Sequence, residues 1–259
     1  MRKIIDFHTH PFIDASTNIC SHKNYCNMTA DTTLADLKKL GIVKICGSVI
    51  KMPFEKGINI WQQLQNANNI ALTLKEKYGD FYEVGFHVHP HFVKESIAEI
   101  ERMSKLGVKI VGELVPYMHG WSDYSCKEFG EIIEAAANHN MIISFHSMDN
   151  DQMDKMVAEH KDAIFVAAHP GEYGDFMRHL TRMEMSENYY LDLSGYGIFR
   201  HGMLRRGIDE MGVERFIFGS DYPTCNPAMY VGGVADDFTL PAEEKQQILY
   251  GNAERLLNL

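Results

Sequence analysis

The sequence has few cysteines and no long apolar run. Five cysteines are spread over 259 residues, and no two of them form a Cys-x-x-Cys pair. Their odd number and spacing exclude a disulfide framework and a cysteine-ligated zinc site, and they predict free thiols in a cytoplasmic protein. No stretch approaches the roughly 20 apolar residues that a membrane span requires. The start, MRKIIDFHTH, has a short apolar run interrupted by Asp6, so we expect no secretory signal peptide.

Positive charge is also scarce. The chain has 25 Lys and Arg against 35 Asp and Glu, a formal net charge of −10, and it contains no basic block. This balance argues against nucleic acid or an anionic membrane as a partner. A hydrophobic share of 45% with 23% charged residues is ordinary globular composition, which excludes disorder of the whole chain. We therefore expect a small-molecule partner, and a homo-oligomer remains open.

Short apolar runs of strand length alternate with amphipathic stretches along the whole chain. The predicted strands are residues 2–8, 43–50, 81–88, 107–115, 141–147, 163–169, 188–194 and 215–221. The predicted helices lie near residues 31–40, 58–78, 93–106, 128–139, 149–160, 174–185, 199–211 and 241–257. Eight strand–helix pairs in about 250 residues are typical of a (β/α)8 TIM barrel, and without a linker we predict one domain over residues 1–259. The alternative, an open doubly wound sheet, would show fewer strands and a glycine-rich first turn.

A His-x-His pair follows the first predicted strand. Side chains alternate between the faces of a strand, so His8 and His10 point the same way, about 7 Å apart along the backbone. Two imidazoles at this spacing can reach one metal ion, with bonds of about 2.0–2.1 Å. Asp6 is predicted on the same face, where it could orient a ligand histidine.

Further ionisable residues stand at the carboxyl ends of other predicted strands, where barrel enzymes place their chemistry. They are Glu113, His146, His169 and Asp221, on the fourth, fifth, sixth and eighth strands. Strand alternation predicts that all four point inward, Glu113 together with Val111. Burying so many ionisable groups without an ion would cost several kcal/mol for each unpaired charge. The set therefore predicts a divalent metal site, and satisfied polar groups at strand ends are the alternative.

The segments DFHTH, SFHS, AAHPG and GSDYP, with the closing GNAERLL, resemble the amidohydrolase-related metal-dependent hydrolases of TIM-barrel fold. Within that superfamily they are similar to the branch of aminocarboxymuconate-semialdehyde decarboxylase-like proteins. The resemblance extends from residue 4 to residue 257. It implies that His8, His10, His146 and Asp221 hold a divalent ion, usually zinc, and that His169 is the catalytic or electrophile-orienting histidine.

The fourth strand departs from the wider superfamily. Many binuclear hydrolases carry a carboxylated lysine there, where this chain has Glu113. A glutamate can bridge two ions, act as an acid or base beside one, or be purely structural, so we expect one ion and leave a second open. Manganese, iron or cobalt could occupy the same ligand set. The TatD-type nucleases are similar too, but their fuller fourth-strand and typical eighth-strand patterns are missing.

Two further residues are candidates for substrate contact. His87 and His89 form a second His-x-His pair, but the resemblance favours the first-strand pair as ligands, so we assign His89 to the substrate. Arg200 could pair with a substrate carboxylate, or it could be a surface charge. Residues 11–30 and 222–240 are predicted to be long loops, the first a lid or a substrate-selecting loop.

The predicted reaction is hydrolysis of an amide, ester or lactone bond in a small molecule by a metal-activated water. Asp221 would take the proton of the water and pass it to the leaving group, while His169 would polarise the carbonyl. The alternative is non-oxidative decarboxylation of an unsaturated or aromatic acid. Arg200 oriented toward a substrate carboxylate would favour decarboxylation, and a second ion on Glu113 would favour hydrolysis. A catalytically inactive barrel used for binding is a third interpretation.

Overall fold

Eight parallel strands form a single sheet in the order β1 to β8. The computed structural model describes residues 3–22, 29–51, 57–197 and 199–259. The strands are β1 Ile4–Asp6, β2 Ile42–Ser48, β3 Tyr82–Phe86, β4 Ile110–Leu114, β5 Ile142–His146, β6 Ile164–Ala168, β7 Tyr189–Asp192 and β8 Phe216–Ile217. Each lies within a strand predicted from the sequence, except that β2 begins one residue earlier.

Backbone hydrogen bonds join the first strand to the segment that follows the last one. The amide of Phe7 donates to the carbonyl of Phe218 at 2.9 Å, and the amide of Asp221 donates to the carbonyl of His8 at 2.8 Å. These bonds close the sheet on itself. The fold is the predicted (β/α)8 TIM barrel.

Helices follow the strands and cover the outside of the sheet. They are α1 Ala30–Lys39, α2 Ile60–Tyr78, α3 Val93–Lys105, α4 Pro116–His119, α5 Lys127–Asn138, α6 Asn150–Glu159, α7 Tyr173–Met185, α8 Met203–Met211, α9 Pro227–Ala235, α10 Ala242–Gln246 and α11 Asn252–Leu257. A π-helical turn, Gln247–Gly251, joins the last two. None of the described helices is long and apolar enough to cross a membrane.

The apolar core has two parts. The larger part lies between strands and helices, as in α5, where Phe129, Ile132, Ile133 and Ala136 are buried at helical spacing. Each of the buried Phe and Ile side chains contributes roughly 1.5–3 kcal/mol on burial. The smaller part takes residues from seven strands and from α11, so it fills the base of the barrel, which α11 closes. Its members are Ile5, Phe7, Cys46, Ile110, Ile142, Val166, Tyr190, Ile217, Ala253 and Leu257.

The two long loops predicted from the sequence have different outcomes. The prediction of a continuous loop over residues 222–240 was wrong, because α9 lies inside it. Asn226 caps this helix by accepting from the amide of Ala228, and Pro227 occupies its first position. Within residues 11–30, residues 23–28 lie outside the described part, so the lid prediction stays a prediction. The four described cysteines are free thiols, as predicted.

Candidate metal centre

His8 and His10 lie on either side of Thr9, in the segment that continues β1. The amide of Thr9 donates to the carbonyl of Cys46 at 2.9 Å, which extends the sheet beyond β1. Gly47 permits this close approach, because a Cβ at that position would lie 1.9 Å from the carbonyl oxygen of Thr9 and its φ is +141°. Both imidazoles are 2% exposed, and their Nε2 atoms are 3.3 Å apart. Strand alternation thus correctly predicted that His8 and His10 point in the same direction.

Two carboxylates meet the paired imidazoles. Glu113 Oε2 lies 3.1 Å from the Nε2 atom of His8 and 3.1 Å from that of His10. Asp221 Oδ1 lies 3.7 and 3.5 Å from the same two atoms. In a tetrahedral site with bonds of about 2.0–2.1 Å, neighbouring ligand atoms are about 3.3–3.4 Å apart. Each carboxylate therefore lies near this spacing from both imidazoles, and a set of imidazoles and carboxylates suits zinc or manganese.

The second oxygen of Glu113 faces a different pair of histidines. Oε1 lies 3.0 Å from His146 Nδ1 and 3.8 Å from His169 Nε2, and these two nitrogens are 3.1 Å apart. Glu113 thus stands between two groups of donors. Among the described residues, His8, His10 and Asp221 form one group with ligand spacing, and His8, Glu113 and His169 form another. His146 contacts Glu113 and belongs to neither group, so its assignment as a ligand of the first ion stays a prediction.

Carboxylate and carbonyl oxygens orient the paired imidazoles from behind. Asp192 Oδ2 lies 2.9 Å from His8 Nδ1, and the carbonyl of Ser48 lies 3.0 Å from His10 Nδ1. Each contact directs the opposite nitrogen, Nε2, to the centre, as carboxylate–histidine pairs do in metal sites. Asp192 was not among the site residues predicted from the sequence. An aspartate between two leucines on a buried strand was the signal for it.

Asp6 has a different role from the one predicted. Its carboxylate accepts from the amide of Ser220 at 2.9 Å and from the hydroxyl of Ser220 at 2.6 Å. Burial raises the pKa of Asp6 to about 7, although both bonds from Ser220 oppose the shift. Asp6 therefore holds the chain just before Asp221 in place, whereas Asp192 orients His8.

Excess negative charge governs the electrostatics of the centre. Burial alone would lower the pKa of His8, but the charges of Glu113 and Asp192 raise that pKa well above its usual range. Burial alone would raise the pKa of Glu113, but the charge of His8 and hydrogen bonds from the histidines lower it well below its usual range. The carboxylates thus retain protons on buried imidazoles. A divalent cation would replace those protons, so the residues fit such a group.

Left-handed backbone turns two of the functional side chains inward. His169 has φ +70° and Asp221 has φ +58°, a conformation that few residues other than glycine adopt. His169 points inward as predicted, but strand alternation is not the reason. Ala167, two residues earlier, packs in the larger part of the core, between strands and helices, so alternation alone would turn His169 outward. The left-handed turn reverses the direction that the strand alone would give.

Glu113 also departs from simple alternation. The register of β4 against β5 shifts between Val111 and Leu114, and both of these residues pack in the outer core. The predicted pairing of Val111 and Glu113 on one face was therefore wrong. The shift lets Glu113 point inward even though Val111 points outward.

A cavity of about 530 Å³ opens beside the centre. His146, His169 and Asp221 form one part of its wall, and Cys225 lies next to them with its sulfur 3.7 Å from Asp221 Oδ2. Of the described residues that line it, none is Lys or Arg. The cavity has the size of a small-molecule site, and residues predicted to be catalytic face into it.

The structure does not bring the two predicted substrate contacts to this cavity. His89 is buried, with its Nδ1 accepting from the amide of His91 at 3.1 Å and its Nε2 donating to the carbonyl of His119 at 3.0 Å. Arg200 forms an ion pair with Glu172. Neither residue lines the cavity, so their contact with a substrate stays a prediction.

Comparisons with known proteins cover the whole barrel. The amidohydrolase family model matches residues 5–259, and no curated protein matches the sequence. The fold is similar to 2,6-dihydroxybenzoate decarboxylase from Rhizobium, with a TM-score of 0.75 and 15% identity over 100% of this chain and 99% of that one. It is similar to a manganese-bound dihydroxybenzoic acid decarboxylase from Polaromonas, crystallised with the inhibitor 2-nitroresorcinol, with a TM-score of 0.75 and 14% identity over 100% and 98% of the chains.

A hydrolase has the same fold. The probable 2-pyrone-4,6-dicarboxylic acid hydrolase from Acinetobacter baumannii, with citric acid bound, has a TM-score of 0.69 and 14% identity over 99% of this chain and 100% of that one. At such identities the likeness concerns the fold alone. Hydrolysis and decarboxylation must therefore be distinguished from the site itself.

Proposed function

Because the chain belongs to the amidohydrolase family, whose model matches residues 5–259, we propose that it is a metal-dependent hydrolase of small molecules. Its substrate contains an amide, ester or lactone bond. The observation that carries the proposal is the placement of Glu113 between two groups of donors, which is the arrangement expected of a carboxylate shared by two cations.

His8, His10 and Asp221 would hold the first cation together with one oxygen of Glu113. The other oxygen of Glu113, with His169 beside it, offers a place for a second cation. A divalent cation in such a site supplies Lewis acidity, which polarises a carbonyl and promotes the ionisation of water. We expect zinc on the basis of the imidazoles, and manganese suits the carboxylates equally well.

Asp221 is the proposed proton carrier. Its side chain is 12% exposed and lines the cavity, with Oδ1 toward the paired imidazoles. From this position the carboxylate can accept a proton from the attacking water and deliver it to the leaving group. His169 faces the same cavity. Burial lowers the pKa of His169, so its ring is neutral at neutral pH and can accept a proton.

The charge of the cavity favours hydrolysis over decarboxylation. A substrate carboxylate is commonly held by an arginine, but Arg200 is engaged by Glu172. Among the described residues that line the cavity, the histidines are the only basic side chains. A neutral amide, ester or lactone needs no such partner.

Elemental analysis and a substrate panel test the proposal. Protein purified without added metal, and protein reloaded with Zn²⁺ or Mn²⁺, is assayed with amides, esters, lactones and aromatic carboxylic acids. We expect more than one ion per chain and hydrolysis of at least one neutral substrate class. Release of carbon dioxide from an acid, without hydrolysis of any neutral substrate, would establish the decarboxylase instead.

Two variants sharpen the metal analysis. Glu113→Gln keeps the shape of the side chain but removes its charge, so we expect it to lose the second ion and weaken the first. His139→Gln is the matched control, since His139 is an exposed histidine outside the cavity. It should retain the full metal content. Equal metal content in both variants would contradict the proposed bridging position.

A further inference from the structure

The hydroxyl of Ser194 lies at a junction behind two of the site histidines. Ser194 is fully buried, at 0% exposure. Its Oγ lies 2.9 Å from His8 Nδ1 and 3.0 Å from His169 Nδ1. It also forms a close hydrogen bond with Asp192 Oδ1. One hydroxyl thus contacts a residue of each donor group as well as the aspartate behind them.

The directions of these hydrogen bonds follow from counting protons. An ionised carboxylate only accepts, so the bond between Ser194 and Asp192 needs the single hydroxyl proton of Ser194. If that proton pointed to an imidazole, two oxygens would face each other at close range without a hydrogen between them. The amide of Ser194 donates to the same Oδ1 atom at 2.9 Å, which holds the carboxylate in this orientation.

Once its proton is donated, the Ser194 oxygen can only accept from the rings. The Nδ1 atoms of His8 and His169 must then both carry hydrogen, and in a neutral ring Nε2 is left with the lone pair. His8 Nε2 lies 3.3 Å from His10 Nε2, and His169 Nε2 lies 3.1 Å from His146 Nδ1. Both lone pairs therefore point toward the centre.

We propose that Ser194 is a positioning residue, which fixes the tautomer of His169, as Asp192 fixes that of His8, so that each ring presents an unprotonated Nε2 to the metal centre. The inference rests on the proposed function for the presence of a metal, but not on the identity of the substrate. It assigns His169 the role of a proton acceptor or ligand. A neutral His169 in this tautomer has no hydrogen on Nε2 with which to polarise a carbonyl, in contrast to the role expected from the sequence.

The packing around the junction leaves room for this hydroxyl and little else. The rings of His8 and His169 stack with centroids 5.2 Å apart and an interplanar angle of 29°. At Gly195, a Cβ would lie 2.1 Å from His169 Nδ1. The chain after Ser194 is thus pressed against the same edge of the His169 ring, and the ring cannot turn away from the hydroxyl without displacing this backbone.

Nitrogen-15 spectra of histidine-labelled, Zn²⁺-loaded protein test the inference, because the two ring nitrogens have distinct shifts when protonated and unprotonated. The resonances of His169 are assigned by their loss in His169→Gln. In the wild type we expect hydrogen on Nδ1 and none on Nε2 of His169. Hydrogen on Nε2 of His169 would overturn the proposal, whatever the enzyme hydrolyses.

Variants at the junction provide a second readout. In Ser194→Ala we expect a mixture of His169 tautomers and a loss of about 10–100-fold in Zn²⁺ affinity. Ser186→Ala is the matched control, since Ser186 is also buried and its hydroxyl donates to the carbonyl of Lys161, before β7 and outside the site. It should leave the His169 resonances unchanged.

The outcomes separate this inference from the proposed function. If Ser194→Ala keeps the wild-type tautomer and its Zn²⁺ affinity, Ser194 does not position the His169 ring and the inference fails. If the variants behave as expected but no neutral substrate is hydrolysed, the proposed function fails and the positioning role stands. Should Ser194→Ala not fold, the wild-type spectrum alone decides.

Discussion

The stability of the metal-free protein should fall as pH rises from 6.5 to 9, because of His10. Burial alone would lower the pKa of His10, but the carboxylates of Asp221 and Glu113 raise it to about 9. In the unfolded chain the pKa is about 6.5. A group whose pKa is raised by folding stabilises fully below the unfolded pKa, and this stabilisation is lost as pH rises through the folded pKa. The window is therefore pH 6.5 to 9.

The magnitude follows from the difference between these pKa values. A shift of one unit corresponds to about 1.36 kcal/mol, so a rise from 6.5 to about 9 gives about 3 kcal/mol. The raised pKa of His8 adds to the loss in the same direction. Urea unfolding of chelator-treated protein at pH 6, 7, 8 and 9 measures the effect as a decrease in the free energy of unfolding.

Metal should reverse this dependence. Imidazoles bind a cation only without their protons, so metal binding strengthens as pH rises, and the stability difference between loaded and metal-free protein should widen over the same window. His10→Gln should reduce the slope of the metal-free protein. A free energy of unfolding that stays constant from pH 6.5 to 9 in chelator-treated wild type would refute the reasoning, because the buried carboxylates would then not retain protons on the imidazoles.

Three substitutions probe the surroundings of the centre. Asp192→Asn removes the charge behind His8 and should lower metal affinity about 10–100-fold, measured by competition with a chelator. Gly195→Ala places a methyl group 2.1 Å from His169 Nδ1, so turnover should fall about 100-fold while circular dichroism stays native; wild-type turnover would contradict the packing argument. Arg182→Met removes one of the two arginines that pair with Asp154 and the bonds from Arg182 to Asn150, and should cost about 1–3 kcal/mol in urea unfolding; an unchanged free energy of unfolding would contradict this.

The fold could be predicted because its strands and most helices have distinct patterns. In α5 the apolar residues follow one helical face, and all four that are buried in the structure are on that face. Helix α9 was missed because its apolar residues and two glycines follow no single face. Its start nevertheless has a local signal, an asparagine cap followed by Pro227. The periodicity of hydrophobic residues reveals amphipathic helices, whereas this helix is marked by its cap.

The site could be predicted as a set of residues, but only in part as a geometry. His8 and His10 stand in extended chain, where alternation holds, and the prediction of their common direction was correct. Glu113 and His169 point inward through a register shift and a left-handed turn, which no alternation rule describes. The contact of Asp192 with His8 joins residues 184 positions apart, so only the closed barrel reveals it.

Closure of the barrel and assembly of the centre depend on the same residues. The amide of Asp221 donates to the carbonyl of His8 at 2.8 Å, and this bond both joins the ends of the barrel and brings two candidate ligands together. The left-handed conformation of Asp221 costs of order 1 kcal/mol, and a backbone hydrogen bond offsets a cost of this size. The donors are consequently held at ligand spacing by the backbone. A cation that binds has to displace protons from the imidazoles, but it does not have to bring the ligand residues together.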